Sequence, residues 1–300
     1  MLLESKSAPL ETKTFAAKNY ALAETLASGQ AFRWRLRNEG WEGVVSGRWA
    51  RLKQLPNAIE AAAVAPVCEW TWLESYLQLS VSIDEVVASF PKDEHLSAAV
   101  DSSPGLRLLK QDPWECLASF ILSSTKQIVQ IQQIVALLCE RFGNLIPAPP
   151  ESSPAYSFPS AERIALLSEQ DLRCCKMGFR APYLLGSAQM IARREIQLEK
   201  LHSTSVAEAR AELLRLPGVG RKIADCVLLF AYGFQQAFPV DVWVLKAIKQ
   251  LYFARKRPNK TRIEKFTATY FGKNAGYAQQ YLFHYIRTKM PRAKNQSAPL

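Results

Sequence analysis

The segment 213–244 constrains the fold more than any other part of this sequence. A Leu-Pro-Gly-Val-Gly turn at 216–220 separates two helical patterns. Pro217 discourages continued helix, and Gly218 and Gly220 permit backbone angles that other residues avoid. After the turn, apolar side chains recur at the i, i+3, i+4, i+7 spacing of a buried helix face, at Ile223, Cys226, Val227 and Phe230. The pattern predicts a helix-hairpin-helix whose second helix offers free N–H groups to a phosphate.

Two residues near this turn carry groups that can do chemistry. Lys222 lies in the first turn of the outgoing helix, and Asp241 lies where an apolar loop gives way to the next helical pattern. An amine and a carboxylate at a DNA-binding hairpin indicate covalent chemistry at a sugar carbon. The simpler alternative is a hairpin that only grips DNA, which would need the glycines but not this pair.

The segment resembles the helix-hairpin-helix, Gly/Pro-Asp superfamily of DNA base-excision glycosylases, and Lys222 places it among the bifunctional glycosylase/lyases. The resemblance implies that Gly218, Val219 and Gly220 contact DNA phosphate. It also implies that Lys222 attacks the anomeric carbon of the sugar while Asp241 stabilises the developing positive charge. The resulting Schiff base allows β-elimination, which nicks the strand 3′ to the lesion.

Composition agrees with a partner that is a polyanion. Lys and Arg number 38 against 27 Asp and Glu, a net charge of +11. No apolar run reaches membrane-spanning length, and the N-terminus lacks the pattern of a signal peptide. We therefore expect no membrane association and a location in a reducing compartment inside the cell, the cytoplasm or nucleoid of a bacterium or the nucleus of a eukaryote.

Cysteine and histidine usage limits the cofactors that the chain can hold. The six cysteines show no disulfide framework and no C-x-x-C pair, and none follows Cys226 to ligate an iron–sulfur cluster. With only three histidines, and none at metal-ligand spacing, we predict no catalytic metal. In the resembling family the hairpin carbonyls often hold a monovalent cation, so a structural cation is compatible with the resemblance.

The N-terminal third reads as mixed structure with strands. Alternation predicts a strand over 28–36 and a strand, turn and strand over 41–52, with a turn at 38–40. The motif Ser-Gly-Gln-x-Phe-Arg-Trp from position 28 resembles the N-terminal domain of 8-oxoguanine DNA glycosylases, a TATA-binding-protein-like antiparallel sheet with helices. In that family a glycine carbonyl accepts the N7–H that distinguishes 8-oxoguanine from guanine, a role that falls on Gly29.

A helical region begins at Asp112, an N-cap candidate followed by Pro113. We therefore predict an α+β protein with a sheet domain over 1–111 and a helical glycosylase domain over 112–300. The pattern over 128–142 predicts an amphipathic helix that is stopped by Gly143. The Pro- and Ser-rich stretch 144–160 predicts a linker without regular elements.

The resemblance also assigns residues to the two DNA strands. Phe179 matches an aromatic wedge beside the extruded nucleotide, and Arg180 matches a contact to the orphaned base. On the last helical pattern, Gln279 is expected to bond the flipped base and Phe283 to stack on it. Cys226 is expected to form the opposite wall of the base pocket.

Several positions depart from the family pattern. Thr125, Lys126 and Gln127 replace an Asn-rich run that touches the orphaned cytosine, and Gln130 replaces an arginine. These changes leave the opposite-base preference open, with Lys126 free to serve a phosphate. A polar pair that contacts phosphate is replaced by Trp243 and Ile286, a change that indicates repacking.

The partner expected from the resemblance is double-stranded DNA containing oxidised guanine, bound by a monomer without an organic cofactor. Three alternatives remain open. One is a non-catalytic DNA-binding module. Another is a monofunctional alkylpurine glycosylase, which usually lacks a lysine at position 222. The third is a thymine-glycol lyase of the endonuclease III kind, which typically has iron–sulfur cysteines and no sheet domain.

Overall fold

A five-stranded antiparallel sheet forms the N-terminal part of the chain, in the order β1-β5-β4-β3-β2. The computed structural model describes residues 9–38, 40–123, 126–253 and 258–289, with the Lys260 side chain left out. The strands are β1 (Leu10–Ala16), β2 (Arg35–Arg37), β3 (Gly40–Val45), β4 (Arg48–Leu55) and β5 (Ala58–Val64). The helices that follow or flank them are α1 (Leu22–Ala27), α2 (Thr71–Leu77), α3 (Ile83–Ala88) and α4 (Glu94–Ser102).

The sheet buries one face because side chains alternate along its strands. In β5, Ile59, Ala61 and Ala63 are buried while their neighbours are partly exposed. This face joins Leu73 and Leu77 of α2 in one hydrophobic cluster. The first domain therefore has its own core.

The strand predicted over 28–36 is wrong for most of its length. Only Arg35–Arg37 is extended and paired, with Arg35 opposite Glu42. Gly29 takes a φ of +81°, in the left-handed region that interrupts an extended strand. The predicted strands around the 46–47 turn are observed as β3 and β4, whereas β1 and β5 at the other edge were not predicted.

The rest of the chain is helical, with short 3₁₀ turns at Gly178–Arg180, Leu198–Ser203 and Gly272–Asn274. None of the helices within the described ranges is long and apolar enough to cross a membrane. The helices are α5 (Pro113–Leu122), α6 (Ile128–Phe142), α7 (Ala161–Ala165), α8 (Glu169–Arg173), α9 (Ala181–Ala192), α10 (Val206–Leu214), α11 (Arg221–Phe230), α12 (Val242–Tyr252), α13 (Lys260–Tyr270) and α14 (Ala275–Lys289).

Helix starts follow the capping residues that the sequence indicated. Asp112 accepts from the Glu115 N–H at 2.8 Å, with Pro113 in the first turn. Helix α6 spans the predicted residues 128–142. The stretch 144–160 was expected to lack regular elements, but it contains a two-residue ladder, β6 (Leu145–Ile146) with β7 (Ala155–Tyr156). The α+β class, an antiparallel sheet domain followed by a helical domain, is confirmed; the boundary at 111/112 stays a prediction.

The buried amide of Gln30 fixes the segment that leads from the first domain to the second. Its side chain is fully buried, and Nε2 donates to the Arg107 carbonyl at 2.8 Å and the Thr25 carbonyl at 3.0 Å. Its Oε1 accepts from the Leu109 N–H at 2.8 Å. One side chain thus fixes the connector 107–111, which leads from the first domain into α5.

We predict that Gln30→Met destabilises the protein by at least about 2 kcal/mol. Methionine has a similar length but leaves buried backbone groups of Arg107 and Leu109 without partners, and each such loss costs roughly 1–3 kcal/mol. Urea unfolding followed by circular dichroism measures the change. The control is Gln170→Met, at an exposed position of α8. Equal midpoints for the two variants would contradict the assigned role of Gln30.

Candidate active site at the hairpin

The hairpin between α10 and α11 is held in a fixed conformation. Gly218 has a φ of +74°, and a Cβ there would lie 2.7 Å from Tyr183. Ser187 Oγ donates to the Pro217 carbonyl at 3.1 Å. Gly220 caps α11 and has open space where a side chain would be. The predicted helix-hairpin-helix is therefore confirmed, and the N-terminus of α11 faces an open surface, as phosphate binding requires.

Lys222 is held against the end of α5. Its half-buried side chain donates from Nζ to Ser123 Oγ at 3.2 Å, and Nζ lies 5.0 Å from the centre of the Phe120 ring. The Ser123 hydroxyl in turn donates to the Phe120 carbonyl at 2.7 Å. The Ser123 hydroxyl therefore accepts from the amine while it donates its own proton to a backbone carbonyl. No carboxylate is among these contacts.

Asp241 lies at the N-cap of α12, where the sequence predicted the start of a helix. Its Oδ1 accepts from the Val244 N–H at 2.7 Å, and the carboxyl group is half-buried. This bond fixes the side chain and leaves further lone pairs on the carboxylate for other partners.

Lys222 and Asp241 act in opposite directions on the buried thiol of Cys226. Burial raises the pKa of Cys226 to about 12, while Lys222 acts to lower it and Asp241 to raise it. Both charges therefore act on the same buried thiol, one turn beyond Lys222. At neutral pH this thiol is protonated and can serve as an apolar wall.

Residues from both domains surround a second part of the site. A Cβ on Gly29 would lie 2.5 Å from Ile128 Cδ1 and 3.1 Å from Arg287 Nη1. The Arg287 guanidinium lies 5.6 Å from the ring of Phe283. The structure therefore brings Gly29 and Phe283 to one arginine. Gln279, on the same helix, is 4% exposed, and its Oε1 has no hydrogen-bond partner within the described ranges.

The residues predicted to contact the gap in the duplex differ in exposure. Phe179 is 56% exposed and stands edge-on to Tyr183. Arg180 is only 2% exposed, and its guanidinium lies 4.2 Å from the Phe179 ring centre. Phe179 is thus available as a wedge. The base contact assigned to Arg180 stays a prediction, and it requires this side chain to move outward.

The positions that depart from the family pattern have mixed placements. Lys126 is half-buried, while Thr125 lies outside the described residues. Gln130 accepts from the Gln127 N–H at 3.0 Å, so it caps α6. Ile286 is 1% exposed but Trp243 is 36% exposed, so these two apolar residues are not buried together. The expectation of a repacked pair therefore holds only for the isoleucine.

Three contributors to the site were missed by sequence reasoning. Phe120 and Ser123 hold the amine of Lys222, and Arg287 lies beside Gly29. The break in the helical pattern at 123 was the available signal for the serine. Nothing local marked the arginine, because Ala27 and Gly29, which it contacts, come from the other end of the chain.

Family models match nearly the whole chain in two consecutive parts. Residues 14–117 match the 8-oxoguanine DNA glycosylase N-terminal domain. Residues 118–272 match the HhH-GPD superfamily base excision DNA repair protein model. The second match covers the hairpin, Lys222 and Asp241.

Known proteins with similar sequence or structure agree with these matches. The probable N-glycosylase/DNA lyase of Methanothermobacter thermautotrophicus is 31% identical over 235 residues, 72% of this chain and 74% of the relative. The structure of MBOgg1 with a low-affinity DNA ligand is 32% identical, with a TM-score of 0.87 over 93% of this chain and 98% of that one.

The Clostridium acetobutylicum 8-oxoguanine glycosylase/lyase, solved with double-stranded DNA containing cytosine opposite 8-oxoguanine, is 30% identical with a TM-score of 0.86. The alignment covers 93% of this chain and 97% of that one. The fold, the hairpin with its lysine and aspartate, and these similarities lead to one assignment. The chain belongs to the HhH-GPD superfamily of base excision DNA repair proteins, within the group that carries the 8-oxoguanine DNA glycosylase N-terminal domain.

Proposed function

We propose that this protein is a bifunctional DNA glycosylase/AP lyase that excises 8-oxoguanine from double-stranded DNA in base excision repair. The observation that carries the proposal is the amine of Lys222, held by Ser123 and the Phe120 ring beside the open hairpin, together with the Asp241 carboxylate fixed at the cap of α12. A module that only binds DNA has no need of this pair. The relatives named above, which include 8-oxoguanine glycosylase/lyases, support the choice of lesion.

Binding starts with the phosphate backbone. The N–H groups at the start of α11, next to Gly218 and Gly220, hold a phosphate near the lesion. The damaged nucleotide leaves the duplex, and the exposed ring of Phe179 fills part of the gap. The flipped base then enters the space between Cys226 and Phe283, with Gln279 at its hydrogen-bonding edge. The buried, unpartnered Oε1 of Gln279 supports this orientation.

Chemistry follows at the sugar. Lys222, as the neutral amine, forms a bond from Nζ to the anomeric carbon, while the bond to the base nitrogen breaks and its electron pair leaves with the base. Asp241 stabilises the positive charge that develops on the sugar. The amine then loses a proton and the sugar ring opens, which gives a Schiff base. Loss of a C2′ proton expels the 3′ phosphate and nicks the strand.

The surroundings of Lys222 suit this task. Within the described ranges its contacts are the Ser123 hydroxyl, the Phe120 ring and the Cys226 thiol rather than an ion pair, so the amine can be released for attack. Only the uncharged form is nucleophilic. We expect the monomer to act without an organic cofactor or catalytic metal, inside the cell. A monovalent cation at the hairpin is compatible with the Leu216 and Pro217 carbonyls, each of which accepts one hydrogen bond and keeps a second lone pair.

The first prediction from this mechanism concerns Lys222. Borohydride reduction on a duplex carrying one 8-oxoguanine should trap a covalent adduct with the wild type, and Lys222→Gln should give none. Lys246→Gln, an exposed lysine of α12, is the matched control and should trap normally. A wild type that binds but neither traps nor releases the base would contradict the lesion assignment. Repeating the assay with each opposite base shows the preference left by Thr125, Lys126 and Gln127.

A second prediction concerns Asp241. Asp241→Asn should lower the single-turnover rate of base release by about 10²–10³, the usual effect of losing one electrostatic contact to the transition state. The amide oxygen can still accept from the Val244 N–H, so α12 should keep its cap. The thermal midpoint should therefore change little. A wild-type rate, or a rate loss that follows a fall in the midpoint, would remove Asp241 from the chemistry.

The third prediction concerns Cys226. Because burial raises its pKa to about 12, the thiolate is scarce at pH 8 and Cys226 should not be alkylated in the native protein. Iodoacetamide followed by peptide mass spectrometry should modify the exposed Cys68 and Cys174 first, without loss of borohydride trapping. The urea-denatured protein should be labelled at all six cysteines. Rapid labelling of native Cys226 would show a reactive thiol instead of a neutral wall.

A further inference from the structure

Arg287 lies at the junction of the two domains and has no part in the mechanism above. It belongs to the last turn of α14, and Nη2 donates to the Ala27 carbonyl of the first domain at 3.0 Å. The guanidinium also lies 5.6 Å from the Phe283 ring centre. These two contacts fix the side chain beside the ring that is proposed to stack on the flipped base.

The second terminal nitrogen of this guanidinium is not used. Nη1 of Arg287 is buried and has no hydrogen-bond partner within the described ranges. It lies 3.1 Å from the position that a Cβ on Gly29 would take. A buried donor without a partner costs about 1–3 kcal/mol, so an acceptor on a bound ligand that reached Nη1 would gain a favourable hydrogen bond.

The charges around Arg287 agree with a role for this side chain in the candidate active site. Burial lowers the pKa of Arg287, and the carboxylate of Asp241 opposes that effect. His284, on the neighbouring face of α14, has its pKa lowered by burial and by Arg287, so it adds no positive charge there at neutral pH. Arg287 is therefore a cation beside Gly29 and Phe283 that also feels the charge of Asp241.

We propose that Arg287 determines lesion specificity by donating a hydrogen bond from Nη1 to the C8 oxygen of the flipped 8-oxoguanine. The proposal rests on the proposed function and deepens it. N7–H and the C8 oxygen are adjacent on the oxidised base, and guanine has neither of them. If the Gly29 carbonyl accepts from N7–H, the adjacent C8 oxygen also comes close to Gly29, beside which Nη1 of Arg287 lies.

This contact favours the lesion and gives guanine nothing. Guanine places a C–H group against Nη1 and offers it no acceptor, so only the oxidised base gains the hydrogen bond. The contact also matters during excision, because the departing base carries negative charge that a nearby guanidinium stabilises. Specificity and leaving-group stabilisation then come from one side chain.

The test measures binding in the catalytically inactive Lys222→Gln protein, with and without Arg287→Met. The duplexes carry 8-oxoguanine, guanine or a tetrahydrofuran abasic analogue at one position. We expect the preference for 8-oxoguanine over guanine to fall about tenfold, the value of one hydrogen bond to a charged group. Binding to the other two duplexes should be unchanged. The control Lys289→Met removes an exposed charge two positions later on α14 and should keep the preference.

Two results would overturn the inference. An unchanged preference would show that Nη1 does not read the base, and an equal loss on all three duplexes would show that Arg287 only holds the domains together. If Arg287→Met does not fold, Arg287→Lys keeps a positive donor and should retain part of the preference, whereas a complete loss would contradict the proposal.

A parallel assay with catalytically active protein separates this inference from the proposed function. Wild type should release 8-oxoguanine and should also form the borohydride adduct at a preformed abasic site. Arg287→Met should release the base more slowly and trap the abasic site at the wild-type rate. A wild type that traps the abasic site but releases no 8-oxoguanine would overturn the lesion assignment itself, and Arg287 with it.

Discussion

The ring of Phe120 is the contact on which the arrangement of the site depends. It stacks on Phe230 of α11 with centroids 5.6 Å apart, and meets Phe32 of the first domain edge-on at 5.6 Å. Its face also lies 5.0 Å from Nζ of Lys222. One aromatic side chain thus contacts the sheet domain, the hairpin helix and the amine. Because aromatic pairs have preferred geometries, a shift in any of these parts is passed to the position of the amine.

The burial of α11 explains why chemistry occurs in its first turn. All residues from Ile223 to Phe230 are buried, whereas Arg221 is exposed and Lys222 is half-buried. The helix therefore cannot rotate or slide without exposing apolar surface. Its open end at Gly220 is the proposed phosphate site, and Arg221 and Lys222 are the two side chains of its first turn that are not packed in the core. The packing of α11 therefore positions both the proposed phosphate site and the proposed nucleophile.

Short sequence motifs predicted those parts of the fold that depend only on residues close together in the chain. The hairpin turn, the Asp112 cap and α6 depend on residues within a few positions of one another, and each was found where the sequence indicated. Strand β5 was missed because its sequence, rich in alanine, acquires its strand character by pairing with β1 and β4. The error at 28–34 has a related cause, because Gln30 is held by residues 107–109 rather than by a neighbouring strand.

The same distinction applies to the site. Lys222 and Asp241 were predictable because a single motif contains both, but Ser123 and Arg287 reach the site from distant parts of the chain. Helix α14 shows how much one position matters. Ile286 is buried in the core, and Arg287, turned by about 100° on the helix, faces Gly29 and Phe283. With an apolar residue at 286, the carboxylate acting on the Arg287 guanidinium is Asp241, which is also the proposed catalytic carboxylate. The proposed lesion contact and the proposed sugar chemistry would therefore both depend on the charge of Asp241.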